Sequence, residues 1–128
     1  MALQHIKAGP PKTADAPFSW AVVAGGRTLH SVHIPVRADG SIETGDAEAQ
    51  AEAALSDLGA TLRAAGAAPA DVAAAQVFLT SLEHRPAVDR AWRRFFAEPW
   101  PVRACVAVAA LPTPGTVIEI VVQTALPG

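Results

Sequence analysis

The sequence has no tyrosine and one cysteine, and aromatic residues make up only 5% of its 128 residues. The single cysteine, Cys105, cannot form an intrachain disulfide and is typical of a reducing compartment. No stretch of about 18 uncharged apolar residues is present, which excludes a membrane-spanning helix. Residues 1–17 also lack the apolar run of a secretory signal. These absences predict a cytoplasmic protein with no membrane partner.

Charge is also scarce, at 17% of residues, and the net charge of −2 gives no attraction to nucleic acid. The length fits one domain, and we assign residues 1–128 to it. Residues 1–17, which are rich in proline, predict an irregular lead-in. Much of the 51% hydrophobic content is alanine, which buries little area. A small domain whose core is rich in alanine buries little apolar area of its own, which favours association with further subunits.

The first half of the chain predicts a β-hairpin followed by a helix. Two strand-like runs, 18–24 and 27–34, flank Gly25-Gly26, a dipeptide that favours a tight turn. From Asp46 to Gly66 the sequence is alanine-rich and predicts a helix whose apolar face carries Leu55, Leu58 and Leu62.

The second half predicts three strands and a second helix. A strand is expected over 71–82, and a helix over 86–97 with an inward face of Val88, Trp92, Phe95 and Phe96. Strands over 102–110 and 116–123 follow, joined as a hairpin by the turn 111–115. This order predicts an α/β (α+β) fold with a single sheet and both helices on one face. The other face also carries apolar residues, so we expect an oligomer to cover it.

Two charged residues stand out in the last two strands. Alternation places Arg103 on a face with Cys105 and other small residues, and it places Glu119 in the middle of an apolar strand. In the predicted hairpin Glu119 lies opposite Ala107, and Arg103 lies about 13 Å further along, so direct contact is not expected. Spacing leaves two alternatives, independent strand charges or a functional pair, and by itself favours the first.

Other candidate sites are weaker. His30 and His33 are three residues apart on a predicted strand, hence on opposite faces, and cannot share a metal. The arginines of the second helix have acidic neighbours, which indicates a solvated face rather than a nucleic-acid patch. Cys105 has no nearby histidine and is expected to be a small core residue rather than a nucleophile.

Four segments carry a family resemblance. Residues 101–112, Pro-Val-Arg-Ala-Cys-Val-Ala-Val-Ala-Ala-Leu-Pro, resemble the signature of the RidA (YjgF) family, in which a proline and an arginine precede a cysteine-bearing strand. Val-Ile-Glu-Ile at 117–120 resembles the family's closing strand. Ala-Pro-Phe-Ser at 16–19 and His-Ser-Val-His-Ile-Pro at 30–35 resemble its Gly-Pro-Tyr-Ser and Thr-Ser-Gly-Gln-Ile-Pro segments. The resemblance runs in order over nearly the whole chain.

The resemblance implies a chorismate-mutase-like fold, assembled as a homotrimeric barrel with active sites in the clefts between subunits. It implies a deaminase, a hydrolase of carbon–nitrogen bonds, that converts reactive enamines and imines such as 2-aminoacrylate or 2-iminobutyrate to 2-oxo acids and ammonia. Arg103 would hold the substrate carboxylate, and Glu119 would position water and move protons. The substrate-binding residues would be Phe18, Ser31, Val32, Asp89 and Cys105. Neither a metal nor an organic cofactor is implied.

Four residues depart from the family pattern. Phe18 replaces the usual tyrosine and removes a hydroxyl group. Val32 replaces glycine, so it narrows the space and stiffens the backbone, although its N–H could still donate to a carboxylate. His33 replaces glutamine, and Asp89 stands where asparagine is frequent. These changes put the substrate in question, and not the arginine–glutamate pair.

Three functions therefore compete. The first is the deaminase that detoxifies reactive intermediates, and the second is a pathway-specific deaminase acting on an aminomuconate-like substrate. The third is a non-catalytic small-carboxylate-binding or chaperone-like protein. The presence of both Arg103 and Glu119 favours catalysis, because a binder would need only the arginine. Ribonuclease activity, described for some family members, is disfavoured by the net charge of −2.

Overall fold

The computed structural model describes residues 3–7 and 16–128, and within them one mixed sheet carries two helices. The strands are β1 Gln4–His5, β2 Ala21–Ala24, β3 Thr28–His33, β4 Val72–Leu79, β5 Val102–Ala107 and β6 Ile118–Ala125. The helices are α1 Ala47–Ala64 and α2 Arg85–Phe95, and short 3-10 turns cover Pro69–Asp71 and Leu82–His84. The strand order is β1-β2-β3-β6-β4-β5, in which β4 and β5 are parallel and the other neighbours antiparallel. The predicted fold class is confirmed.

The predicted irregular lead-in, 1–17, needs one correction. Residues 1–2 and 8–15 lie outside the described residues. Gln4–His5 forms β1, which pairs with β2, and the Ile6 N–H donates to the Ala21 carbonyl at 3.0 Å. A strand of two residues shows no periodicity in a sequence, so it could not be detected there.

Local signals position most elements as predicted. The hairpin of β2 and β3 closes at Gly25 and Gly26, whose φ angles of 61° and 68° favour glycine over residues with a Cβ atom. Helix α1 begins after Asp46, whose carboxylate accepts a hydrogen bond from the Ala49 N–H at 2.8 Å. Helix α2 has a proline in its first turn, Pro86, as expected for a helix start.

The core lies between the two helices and one face of the sheet. Alternate residues of β6 point into it, and Ile118, Ile120 and Val122 have no exposed surface. The apolar stripe of α1 packs against them through Leu55, Leu58 and Leu62, as predicted. The predicted inward residues of α2 also join this core: Val88, Trp92 and Phe96 are buried, and Phe95 packs against them.

The predicted hairpin of the last two strands is wrong, because β4 lies between β5 and β6. Strands β4 and β5 are parallel and are joined through α2, a connection that parallel neighbours require. The chain then passes the end of β4, where the Leu79 carbonyl accepts from Val108 N at 2.8 Å and Thr80 N donates to the Val117 carbonyl at 3.0 Å. The predicted turn in 111–115 is present, since the Thr116 N–H donates to the Thr113 carbonyl at 3.3 Å, but it belongs to a crossing connection and does not close a hairpin.

The other face of the sheet has no cover among the described residues. Val102 is 73% exposed and Val106 46%, and Phe78, Val32 and Val121 are partly exposed. This open face is the surplus apolar surface that the sequence predicted. No helix in the described part of the chain is long and apolar enough to cross a membrane.

Candidate active site

Arg103 lies on the helix side of the sheet, at its β5 edge. Its register partner in β4, Ala75, is buried, so the side chain points toward α2. There the guanidinium donates to the Asp89 carboxylate at 2.7 Å, and its carbon lies 5.0 Å from the centre of the Trp92 ring. The ion pair and the cation–π contact hold the guanidinium in one orientation. Its other N–H groups form no further hydrogen bond with the described residues.

A cleft of about 250 Å³ opens beside this guanidinium. Its lining combines charged and flat apolar side chains: Arg85, Asp89, Trp92, Arg93, Trp100, Pro101 and Arg103. Arg103 is only 17% exposed through it. A partly desolvated guanidinium with spare donors is suited to bind a planar carboxylate from solvent.

Glu119 lies on the opposite, open face of the sheet. Its register partner is Phe78 of β4, and partial burial among such apolar neighbours raises the pKa of the Glu119 carboxyl. A carboxyl with a raised pKa takes up and releases protons nearer to neutral pH. Within one chain the sheet therefore separates Glu119 from Arg103, and the two predicted catalytic residues do not meet.

Two further predicted substrate-binding residues lie near the start of β2 and the end of β3: Phe18 in the bend before β2, and Val32 within β3. The Val32 N–H donates to the Trp20 carbonyl at 2.9 Å, so it is not available to a substrate carboxylate, contrary to our expectation. The Val32 side chain is on the same face as Glu119 and diagonal to it across β3 and β6. Phe18 is 54% exposed, and its ring meets the Trp20 ring edge-on at 4.9 Å.

Ser31 lies on the other face and belongs to a buried hydrogen-bonded chain. The His33 ring contacts Ser31 Oγ through Nε2 and the Asp57 carboxylate through Nδ1, each at 2.7 Å. The arrangement matches a serine nucleophile with its base, yet Ser31 is 5% exposed and Asp57 2%. This buried hydrogen-bonded network joins β3 to α1.

Asp57 is a buried polar residue that the sequence patterns did not single out. It interrupts the buried apolar face of α1, next to Leu58. A carboxylate within such a stripe is rare unless it is paired, and this signal could have revealed it. Its partner could not be deduced, because His33 is 24 residues away in the sequence.

The remaining predicted residues divide between the site and the core. Asp89 lines the cleft, as described above. Cys105 shares the helix-side face with Arg103 but packs against the core and is not among the residues that line the cleft. His30 is exposed and His33 buried, as their opposite faces required. In the described part of the chain, no cluster of three potential ligands could hold a metal ion.

The comparison with known proteins identifies the family of this chain. The sequence profile described as endoribonuclease L-PSP matches residues 10–126. A RutC family protein of Sinorhizobium fredii, y4sK, is 34% identical over 92% of this chain and 94% of its own length. A protein of Salmonella typhimurium named 2-iminobutanoate/2-iminopropanoate deaminase is 32% identical over 77% of this chain and 80% of its own length.

Solved structures agree with the sequence comparison. A putative endoribonuclease of Thermotoga maritima is 32% identical and superposes with a TM-score of 0.87 over 98% of both chains. RidA from an Antarctic Psychrobacter species is 31% identical, with a TM-score of 0.86 over 96% of this chain and 99% of its own. The chain belongs to the RidA (YjgF) family, which the endoribonuclease L-PSP profile describes.

Proposed function

We propose that this protein is a deaminase that hydrolyses reactive enamines and imines of 2-amino acids to 2-oxo acids and ammonia. The observation that carries the proposal is the oriented Arg103 guanidinium with unused donors in a small cleft. Relatives at 31–32% identity are named 2-iminobutanoate/2-iminopropanoate deaminase, which supports the same chemistry. Such an enzyme would remove reactive intermediates in the cytoplasm.

The proposed chemistry divides between the two charged residues. Arg103 binds the substrate carboxylate through two N–H groups and so orients the adjacent C=N carbon. Glu119 accepts a proton from water as the water oxygen bonds to that carbon. The C–N bond then breaks, the nitrogen takes up protons and leaves as ammonia, and the carbon keeps the oxygen as a ketone.

The site is complete only if a second copy of the chain takes part. Arg103 and Glu119 lie on opposite faces of the sheet, and the open face that carries Glu119 exposes Val102 and Val106. We infer that the chain forms a homotrimer in which Glu119 of one copy faces the Arg103 cleft of another. Burial of the apolar open face would stabilise this assembly. Light scattering at micromolar concentration tests it, and a monomer would contradict it.

The activity can be tested with imines made in the assay. An amino-acid oxidase or a threonine dehydratase supplies the imine, and semicarbazide traps whatever the protein does not hydrolyse. We expect faster formation of 2-oxo acid and less semicarbazone. Arg103→Ala should lower the activity by about 30- to 1000-fold while the assembly survives, since a charge-assisted carboxylate contact contributes about 2–4 kcal/mol to transition-state stabilisation. Unchanged trapping across several side chains would instead support a carboxylate-binding protein.

A further inference from the structure

The cleft beside Arg103 holds more positive charge than the protein itself neutralises. Arg85, Asp89 and Arg93 are spaced four residues apart along α2, so they lie on one face of the helix, and all three line the cleft with Arg103. Asp89 pairs with Arg103, so one carboxylate offsets one of three guanidinium groups. Within one copy two positive charges remain at the cleft, and one remains when Glu119 of a second copy faces it, in a protein whose net charge is −2.

The other arginines of α2 show that this surplus is confined to the cleft. Arg90 and Arg94 face α1 and pair with its carboxylates, with 2.7 Å between Arg90 and Glu48. Arg85 and Arg93 have no carboxylate oxygen within 4.0 Å among the residues that the structure describes. One copy of the protein therefore neutralises the arginines that face α1, whereas Arg85 and Arg93 at the cleft have no carboxylate partner among the described residues of their own copy.

The size and walls of the cleft restrict what that anion can be. A volume of about 250 Å³ suits a ligand smaller than a typical drug-sized molecule, whose pockets begin at roughly 300 Å³. Trp92, Trp100 and Pro101 supply flat apolar walls, and Trp100 is 44% exposed. These walls fit a ligand with a short planar carbon skeleton, and the arginines fit a ligand with a negatively charged group at each end.

We propose that the cleft selects imino and enamino acids that carry a second carboxylate, the imines of amino dicarboxylic acids. This inference rests on the proposed deaminase function and specifies its substrate class. The carboxylate beside the C=N carbon binds Arg103, and the distal carboxylate binds Arg85 and Arg93. The backbones of these two arginines lie about 12 Å apart along the helix axis, on either side of Asp89, and their long side chains both reach the same cleft. The distal carboxylate takes no part in the hydrolysis.

A pair of substrates that differ only in that group tests the proposal. Glutamate and norvaline both give five-carbon imines with an amino-acid oxidase, but only the glutamate-derived imine ends in a carboxylate. For each, the protein concentration that halves semicarbazone formation is measured for the wild type, Arg85→Gln, Arg93→Gln and the double variant. Arg90→Gln is the matched control, because it removes the same charge from the other face of α2.

We expect the wild type to favour the glutamate-derived imine by about tenfold, the size of one charge-assisted contact. Each cleft variant should lower the ratio of the two activities several-fold, and the double variant should remove the preference, whereas Arg90→Gln keeps it. Added salt should also weaken the preference. Equal activity on both imines, or a ratio that Arg85→Gln and Arg93→Gln leave unchanged, would overturn the proposal while the deaminase function stands.

A binding measurement separates this proposal from the deaminase function. Glutarate and pentanoate are stable five-carbon acids with two carboxylates and one, and thermal unfolding reports their binding without any chemistry. We expect glutarate to raise the melting temperature of the wild type more than pentanoate does, and the double variant to lose this difference. If no imine is hydrolysed but glutarate still shows this effect, the cleft is a binding site for dicarboxylates and the proposed deaminase function is wrong. Tighter binding of a short RNA that displaces glutarate would overturn the dicarboxylate assignment.

Discussion

Asp89 should weaken substrate binding at the cleft, so Asp89→Asn should strengthen it. The carboxylate lies 2.7 Å from the Arg103 guanidinium that we assign to the substrate carboxylate. A substrate bound on the other edge of the guanidinium would place two carboxylates about 6 Å apart. Their repulsion at an effective dielectric constant of about 40 to 60 is roughly 1 kcal/mol, which corresponds to about a fivefold change in affinity. Asparagine keeps a hydrogen-bond acceptor for Arg103 and removes this repulsion.

The structural cost of Asp89→Asn should be small. The side chains of Asp89 and Arg103 are 28% and 17% exposed, and partly exposed ion pairs contribute about 1 kcal/mol or less. We therefore expect the KM for a monocarboxylate imine to fall about fivefold, with a melting temperature within a few degrees of the wild type. Asp89→Ala is the control, since it removes the hydrogen-bond acceptor as well.

The kinetics of Asp89→Asn can refute this reasoning directly. The competition with semicarbazide, measured over a range of imine concentrations, separates KM from kcat. A KM that rises in Asp89→Asn would show that the carboxylate positions Arg103 and that its charge is not a competitor. The same result in Asp89→Ala alone would mean only that the hydrogen bond is needed.

Three further predictions concern Glu119, Val32 and Asp57. Glu119→Gln should abolish activity yet raise the free energy of unfolding at pH 7 by less than about 1 kcal/mol. Because the pKa of Glu119 is raised in the folded state, the folded wild type binds more protons than the unfolded chain at pH values between the ordinary and the raised pKa, and its stability falls as pH rises through that range. Urea titrations at pH 4 and 7 should therefore show the higher stability of Glu119→Gln only at pH 7. Val32→Gly should raise kcat/KM for 2-aminoacrylate relative to a leucine-derived imine, and glycine in β3 should lower the free energy of unfolding by about 1 kcal/mol. An unchanged ratio of the two kcat/KM values would show that Val32 does not determine specificity. Asp57→Ala should cost about 3 kcal/mol in a urea titration because it breaks a buried hydrogen bond to His33, whereas His33→Gln should cost less; equal and small losses would contradict the structural role.

The sequence alone determined those features that depend on neighbours in the chain. The hairpin at Gly25 and Gly26 and the helix that follows Asp46 were predicted because turn glycines and a helix cap act within a few residues. The core-facing residues of α1 and β6 were predicted because a helix repeats every 3.6 residues and a strand every two. The surplus apolar face of the sheet also follows from such alternation.

Only the tertiary structure decided which distant segments lie together. The insertion of β4 between β5 and β6 cannot be deduced from either strand, because a parallel crossover and a hairpin can use similar strand sequences. That insertion places Arg103 and Glu119 on opposite faces. The pairing of His33 with Asp57 and the meeting of Arg103 with Asp89 also join separate elements. Contacts of this kind depend on how the helices and strands pack in space, which short-range periodicity does not encode.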